Sequence, residues 1–208
     1  MEKDELVVAE ILMGAKRLFG KHGLKKTTME EIANAAGKGK STLYYYFPSK
    51  KELFEAVVEE EMKNVVKKLR EAINSCTSSK AKLLAFVKAQ FTSIRGNHSF
   101  KLVVFEEAFD SIKLLRYLKS RYEQIQIDMI KEVLLGGTQA GEFRELSQTK
   151  INKIALLMIT AFRGMHHPLS REIPELLDNE YFDELIDLLM EGIGKPQEKE
   201  LKAVKTIF

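Results

Sequence analysis

A short segment of this chain combines basic, hydroxyl and phenolic side chains at spacings suited to contacting a polyanion. The segment 40–47 (KSTLYYYF) has one lysine, two hydroxyl residues and three consecutive tyrosines. On a helix, Leu43 and Phe47 lie one turn apart and can anchor one face to a core. The outward positions are then Lys40, Thr42, Tyr45 and Tyr46. Three adjacent residues span about 200° of a helix, so at least one tyrosine faces solvent. Lysines and hydroxyls suit phosphate oxygens and base edges, which indicates a DNA-contacting helix rather than a surface helix whose tyrosines pack on a neighbour.

Two other chemistries are suggested by short motifs and disfavoured by their context. The residues 39–42 (GKST) resemble the end of a phosphate-binding loop, but that motif needs a glycine where Asn34 stands. His166 and His167 are adjacent, and neighbouring helical residues point about 100° apart, which does not suit one metal ion. We therefore expect no metal and no cofactor. No pairing of His, Asp, Ser, Cys or carboxylates supports catalysis, so we also expect that the chain is not an enzyme.

Short helices around a glycine-containing turn are predicted to position the 40–47 segment. The residues 28–31 (TMEE) form a capping box that opens a short helix. The residues 36–39 (AGKG) interrupt it, and a second short helix runs from about Lys40 to Phe47, where Pro48 stops it. The residues 49–52 (SKKE) form a second capping box that opens a long helix. This pattern predicts a helix-turn-helix.

The rest of the chain is predicted to be helical as well. Apolar residues recur at steps of three and four, and no strand pattern or internal repeat is present. A first apolar stripe runs from Val8 to Phe19 and is closed by Gly20 and Gly23, and Gly141 is a candidate helix cap. The long helix extends to about Ile73. Further helices are expected at 80–95, 98–109, 111–140, 147–166 and 178–193, and the tail 195–208 is either a last helix or frayed.

Composition limits the class of protein and of partner. The chain has 208 residues and one cysteine, which excludes an intrachain disulfide framework. The net charge is +3, but residues 21–51 contain seven lysines and two glutamates, so this stretch is +5 and the remainder is −2. A basic region on a nearly neutral body indicates a polyanionic partner. The sequence shows no membrane span and no signal peptide, so we expect a cytoplasmic protein with no membrane partner.

Residues 8–54 resemble the DNA-binding domain of TetR-family transcriptional regulators. The resemblance lies in three stretches: ILMGAKRLFGKHG, TTMEEIANAAG and KSTLYYYFPSKKELF. It implies an all-α fold with an N-terminal three-helix DNA-binding head at 1–48. It also implies a helical bundle for ligand binding and dimerisation at 49–208.

The resemblance also assigns roles to individual positions. It implies that Thr28 donates to a DNA phosphate and that Lys50 contacts another phosphate. It places Lys40, Ser41 and Thr42 where family members contact base edges or phosphates, and Tyr44 and Tyr45 at the family's paired aromatic positions.

Three positions depart from the usual family pattern. Lys38 stands where an apolar turn residue is common and would add positive charge near the DNA. Gly39 replaces a serine or threonine cap, which glycine can also provide. Tyr46 stands where histidine is frequent and would change base preference.

In the helical body, the resemblance implies a pocket for a small apolar or amphipathic effector. Methionine and phenylalanine form adaptable apolar walls, although a plain core explains most such residues equally well. The candidate pocket residues are Phe86, Phe91, Phe105, Phe109, Tyr122, Met129, Met158, Phe162 and Met165.

The last two helices are apolar on more than one side. One side can pack on the body and another on a second copy of the chain, and the family dimerises here through a four-helix bundle. The candidate interface residues are Leu157, Ala161, Leu185, Leu188 and Leu189.

The combined prediction is a homodimeric repressor that binds a palindromic double-stranded DNA operator and is released by a small effector. Two alternatives stay open: a regulator switched by a protein partner without a small ligand, and a helical enzyme.

Overall fold

The computed structural model describes residues 2–95, 113–165 and 179–194, and in these residues the fold is all-α, as predicted. We number the helices in chain order. They are α1 (Glu2–Lys26), α2 (Met29–Ala35), α3 (Lys40–Tyr46), α4 (Lys50–Asn74), α5 (Ser79–Arg95), α6 (Lys113–Gln139), α7 (Gln148–Met165) and α8 (Asn179–Ile193).

Several predictions fall outside the described residues. These are the helix at 98–109, the tail 195–208 and the pair His166 and His167. Among the described residues, no helix is long and apolar enough to cross a membrane.

The chain divides into two compact units. The first unit comprises residues 1–65 and 92–122, and the second comprises residues 66–91 and 123–208. The helix α4 continues from the first unit into the second. The domain boundary after residue 48 stays a prediction.

Local hydrogen bonds set the limits of the short helices. The predicted capping box at α2 is confirmed: the Thr28 hydroxyl accepts from the Glu31 N–H at 3.2 Å, and the Glu31 carboxylate accepts from the Thr28 N–H at 2.8 Å. Ser49 begins α4 in a similar way, because its hydroxyl accepts from the Glu52 N–H at 3.2 Å. The N-terminal ends of α2 and α4 therefore follow from residues within one turn.

The turn between α2 and α3 depends on a glycine. Gly37 has a φ of +64°, a backbone conformation that is sterically unfavourable for residues with a Cβ. Its N–H donates to the Asn34 carbonyl at 3.1 Å, and the Lys38 N–H donates to the Ala33 carbonyl at 2.9 Å. These two bonds close the C-terminus of α2 and redirect the chain into α3.

The first helix differs slightly from its prediction. It was expected to close at Gly20 and Gly23, but it continues through Gly20, is non-helical at Gly23, and resumes to Lys26. The buried Thr27 hydroxyl donates its one proton to the Gly23 carbonyl at 2.8 Å, and the Leu18 carbonyl lies 3.3 Å from the same oxygen. Thr27 therefore holds the kink.

Each unit has its own apolar core. In the first unit, the rings of Phe19 and Phe54 meet edge to face with centroids 5.2 Å apart. The other fully buried side chains there include Ile11, Ile32 and Leu43.

In the second unit, Phe143 lies against Gly137 of α6, so closely that a Cβ at Gly137 would overlap its ring. The neighbouring Arg144 N–H donates to the Ile193 carbonyl at 2.9 Å, which ties the segment after α6 to the end of α8. Gly141 ends α6 with a φ of +72°, as predicted.

Candidate functional site

The helix α3 is held by one buried face and presents the other. Leu43 is fully buried, whereas Ser41, Tyr44 and Tyr45 are exposed. Tyr45 is 80% exposed, so a large aromatic ring with a hydroxyl group faces solvent. Two adjacent exposed aromatic rings, Tyr44 and Tyr45, on a short helix beside a lysine are typical of a binding surface.

Lys40 lies at the start of α3 and points outward. Its ammonium group is 3.7 Å from the Glu30 carboxylate of α2, and both side chains are largely exposed. A solvent-exposed pair of this length is weak, so Lys40 can exchange Glu30 for a phosphate or a base at little cost. Gly39 caps α3 with extended backbone, and Thr42 is half-buried one turn into the helix.

Tyr46 differs from its neighbours because its hydroxyl is already engaged. The hydroxyl donates to the Asp4 Oδ1 of α1 at 2.5 Å, and the side chain is half-buried. This hydrogen bond raises the pKa of Tyr46, and partial desolvation and the charge of Asp4 act in the same direction. Tyr46 was predicted to point outward, but its side chain is half-buried and its hydroxyl is directed at α1.

Lys38 is also paired within the first unit. Its ammonium group is 2.5 Å from the Glu10 carboxylate of α1, and its side chain is only 22% exposed. The charge that Lys38 was expected to add near DNA is therefore largely compensated by Glu10.

Thr28 forms a hydrogen bond that competes with its predicted phosphate contact. Its hydroxyl donates to the Glu31 carboxylate at 2.8 Å, and a hydroxyl has one proton to donate. The backbone and side-chain bonds from Thr28 lower the pKa of Glu31, and the charges of His22 and Lys50 add to this effect.

Lys50 lies at the start of α4 and braces the connection between α1 and α2. Its ammonium group donates to the Thr27 carbonyl at 2.8 Å and to the Lys25 carbonyl at 3.4 Å. A lysine has three N–H donors, so one can still reach a phosphate.

Sequence analysis missed the residues that orient this surface: Asp4, Glu10 and Thr27. They belong to α1 and the turn after it, whereas the motif begins at Thr28. The helix α1 carries four acidic residues, and nothing in the sequence distinguishes Asp4 and Glu10 from Glu2 and Glu5.

The candidate pocket residues lie mostly in buried positions. Phe86 and Phe162 approach with ring centroids 6.2 Å apart. The side chains of Phe105, Phe109 and Met165 lie outside the described part of the chain. The described candidates are buried except for the half-buried Met158: Phe86, Phe91, Tyr122, Met129 and Phe162.

A buried amide pair joins α5 to α6 in the second unit. The Gln90 Nε2 donates to the Gln126 Oε1 at 3.3 Å, and the Gln126 Nε2 donates back to the Gln90 Oε1 at 3.4 Å. Both side chains are at most 4% exposed. Sequence analysis missed this pair, although each glutamine interrupts the apolar stripe of its own helix.

The candidate dimer residues divide into exposed and half-buried positions. Leu157 of α7 is 68% exposed and Leu188 of α8 is 66% exposed, while Ala161 is exposed as well. Leu185 and Leu189 are half-buried. The neighbouring Leu156 is also exposed and was not predicted as an interface residue. Both helices therefore present apolar side chains to solvent in the single chain.

Family comparison matches most of the chain in two parts. Residues 11–57 match the family described as bacterial regulatory proteins, tetR family. Residues 58–161, half of the chain, match the family described as YsiA-like protein, C-terminal region.

Individual relatives are distant in sequence, and each of those described next is a transcriptional regulator. The transcriptional activator FasR of Mycolicibacterium smegmatis is 33% identical over 100 residues, which cover 48% of this chain and 46% of FasR. The transcriptional repressor KstR2 of the same species is 28% identical over 137 residues, which cover 65% of this chain and 66% of KstR2. The aligned part therefore spans less than two-thirds of either relative.

A solved structure shows the same fold over nearly the whole length. The transcriptional regulator FadR from Bacillus subtilis, in complex with stearoyl-CoA, has a TM-score of 0.66 and 20% identity, covering 89% of this chain and 98% of FadR. The helix-turn-helix, the helical fold of the remaining described residues and both family matches indicate the same family. The chain belongs to the TetR family of bacterial transcriptional regulators.

Proposed function

We propose that this chain is a homodimeric repressor that binds a palindromic DNA operator and releases it when a small amphipathic effector binds. The observation that carries DNA binding is the surface of α3, where Leu43 is fully buried while Lys40 and Tyr45 are exposed. A helix anchored in this way can enter the major groove with Lys40, Ser41 and Tyr45 facing the DNA.

The contacts proposed for DNA divide into two kinds. Lys40, Ser41 and Thr42 lie at the start of α3, where a recognition helix contacts base edges. Tyr44 and Lys50 flank this region and supply hydroxyl and ammonium donors to phosphates, and Thr28 can do so when its hydroxyl proton leaves Glu31. The exposed Tyr45 is proposed to face the base edges. Gly39 caps the helix, and Lys38 and Tyr46 contribute through their bonds to α1.

Dimerisation is proposed through the exposed faces of α7 and α8. Leu157, Ala161 and Leu188 present an apolar surface that a second copy would cover, with the half-buried Leu185 and Leu189 at its edge. A two-fold symmetric dimer places two recognition helices against two half-sites, which favours a palindromic operator.

The effector is proposed to bind in the interior of the second unit. The bonds between Gln90 and Gln126 are long, so a ligand carbonyl or amide could replace either one at modest cost. The surrounding aromatic and methionine side chains would enclose an apolar chain. The relative crystallised with stearoyl-CoA makes acyl-CoA the first amphipathic class to test.

The helix α4 supplies a route from effector to DNA. It is continuous from Lys50, beside the recognition helix, to Asn74 in the second unit. An effector that favours one tilt of α4 over another would change the position of Lys50 and of α3.

Repression is proposed over activation, although named relatives include one of each kind. A regulator switched by a protein partner is the second candidate, since the exposed apolar positions of α7 and α8 could also receive a different chain. These two candidates differ in whether a small molecule alone changes operator affinity.

The test is fluorescence anisotropy with two labelled duplexes: the DNA upstream of the protein's own gene and a scrambled duplex of equal length and composition. We expect the upstream duplex to bind at least about 10³-fold more tightly at physiological salt. Equal affinity for both duplexes, with an operator selected from random DNA also absent, would contradict sequence-specific binding.

The effector arm of the test adds stearoyl-CoA, with coenzyme A alone as the matched control. We expect stearoyl-CoA to weaken upstream-duplex binding about 5–150-fold and coenzyme A to leave it unchanged. If neither changes binding while a protein from the same cells does, the protein-switched alternative is favoured.

A further inference from the structure

Two carboxylates of α1 bind residues at the two ends of the recognition helix α3. The carboxylate of Asp4 accepts a hydrogen bond from the hydroxyl of Tyr46, the last residue of α3, with an oxygen–oxygen distance of 2.5 Å. Glu10 pairs at 2.5 Å with Lys38, in the turn before α3. Between these two points, Leu43 fixes the middle of the helix to the core. Side chains of α1 therefore bind the last residue of α3 and the turn before it, while Leu43 anchors the buried face of α3.

Tyr46, which is bound to Asp4, also contacts the exposed Tyr45. The rings of Tyr46 and Tyr45 meet edge to face, with centroids 5.0 Å apart and an interplanar angle of 88°. Tyr46 cannot rotate freely while its hydroxyl is bound to Asp4, so one side of Tyr45 lies against a fixed ring. The ring of Tyr45 is 80% exposed and lies on the surface proposed to meet DNA.

We propose that Asp4 is a positioning residue for operator recognition: its carboxylate fixes Tyr46, and Tyr46 in turn fixes Tyr45 against the DNA. This inference rests on the proposed function. Asp4 acts through the two tyrosines and does not itself contact the DNA.

The charge of Asp4 gives the proposal a distinctive signature. A carboxylate beside a DNA-binding surface repels phosphates and lowers affinity for every DNA sequence. A residue that also orients a base-contacting side chain raises affinity for the operator alone. The repulsion from Asp4 acts on both affinities and leaves their ratio unchanged, so Asp4 increases the ratio of specific to non-specific affinity through its positioning effect. A residue needed only for folding would change both affinities in the same direction.

The first experiment measures the Asp4–Tyr46 bond without DNA. Ultraviolet absorbance titration follows ionisation of the tyrosines in the full-length protein and in Asp4→Ala. We expect one tyrosine to ionise at lower pH in the variant, since the bond to Asp4 raises the pKa of Tyr46. Superimposable titrations would overturn the pairing on which the proposal depends.

The second experiment measures recognition. The probe is a duplex that the wild-type protein selects from random-sequence DNA, with a scrambled duplex for comparison. We expect Asp4→Ala to bind the selected duplex about tenfold more weakly and the scrambled duplex more tightly. Asp4→Asn keeps an acceptor oxygen without the charge, so it should restore most of the selected-duplex affinity. Tyr46→Phe should weaken the selected duplex, and combining it with Asp4→Ala should add little.

The matched control is Glu5→Ala, which removes an exposed carboxylate at the next position of α1. We expect it to strengthen binding to both duplexes slightly. If Asp4→Ala behaves like Glu5→Ala, or weakens both duplexes equally, Asp4 has no positioning role. A wild-type protein that selects no sequence would overturn the proposed function together with this role, whereas normal selection with an unaffected Asp4→Ala variant would overturn the role alone.

Discussion

The two units differ in how their candidate functional residues are distributed along the chain. In the first unit, the DNA-facing positions occupy one stretch from Thr28 to Lys50, and the cap that starts α2 joins residues three apart. In the second unit, the Gln90–Gln126 pair joins residues 36 apart, and the bonds from Lys88 of α5 to Asp183 of α8 join residues 95 apart. A function presented on one short helix can be recognised as a local motif, whereas a function inside a helical bundle depends on which helices pack together.

This difference extends to helix ends. The N-terminus of α2 is capped by its own residues, whereas that of α5 is bound by a distant carboxylate. The Glu142 side chain accepts from the Ser79 N–H at 2.7 Å and from the Ser79 hydroxyl at 3.0 Å. The negative charge at this helix start is favourable, but its partner is 63 residues away.

The largest expected effect is on assembly through the second unit. Leu188→Glu would place an unpaired carboxylate in the proposed apolar interface, which costs about 3–5 kcal/mol for each copy. Because Leu188 is 66% exposed in the single chain, the variant should still fold. We expect a folded monomer by analytical ultracentrifugation, with weak binding to a full operator.

The matched control for assembly lies in the first unit. Met13 is an equally exposed apolar residue of α1, so Met13→Glu should leave the dimer intact. A dimer that persists in Leu188→Glu, or dissociates in Met13→Glu, would place the interface elsewhere.

The second effect concerns packing within the second unit. Gly137→Ala would drive a methyl group into the Phe143 ring, and we expect it to reduce the free energy of unfolding by about 3 kcal/mol, the upper end for overpacking. The adjacent Gly136 has no neighbouring atoms within contact distance, so Gly136→Ala should stabilise α6 by about 0.5–1 kcal/mol. Urea unfolding followed by circular dichroism measures both variants. Similar changes in the two would show that Phe143 moves away freely.

The third effect concerns DNA binding by the first unit. Lys40→Ala should weaken operator binding by about 2 kcal/mol and relax specificity at one base position. Lys63→Ala removes an exposed lysine from α4 that pairs with Glu59 at 3.0 Å, and it should change operator affinity little. Anisotropy titrations against single-base operator variants distinguish these outcomes. A uniform loss across all duplexes in Lys40→Ala would assign Lys40 to a phosphate instead of a base.

Most helices were predictable because their signals are local. The apolar repeats and caps placed four body helices at 80–95, 111–140, 147–166 and 178–193, within two residues of α5, α6, α7 and α8 at each end. The capping box at Thr28 and the stop at Pro48 located α2 and α3 equally well. These features depend on contacts within a few residues, which a sequence states directly.

The contacts that orient the side chains were not predictable in the same way. Asp4 and Tyr46 are 42 residues apart, and their pairing depends on how the tertiary fold places α1 beside the end of α3. The same applies to Gln90 and Gln126, which were not predicted, because apolar periodicity does not indicate which polar side chains of two helices face each other. Periodicity predicts which face of a helix is buried, but the partner of that face is set by tertiary packing.

The smallest expected effect is the pH dependence of the α2 cap. The hydrogen bonds from Thr28 lower the pKa of Glu31 below its ordinary value of 4.5, so the charged carboxylate stabilises the folded state. This stabilisation is present above pH 4.5 and is lost as the pH falls through the lower, folded-state value. Thr28→Ala should destabilise the protein by about 1 kcal/mol at pH 7 and by less in acid, because only part of the cap depends on the charge.

Glu31→Gln isolates the charge-dependent part of this cap. Its stability difference from the wild type should be measurable at pH 7 and should disappear at a pH below the folded-state value for Glu31, as followed by urea unfolding at each pH. Glu30→Gln removes the same charge one residue earlier, without the reciprocal bonds to Thr28. If both variants change the pH profile equally, the general attraction of carboxylates to a helix N-terminus explains the effect. A larger change for Glu31→Gln assigns the pH dependence to the capping box. Part of the acid sensitivity of the first unit then arises from a contact between residues three apart in the chain, Thr28 and Glu31.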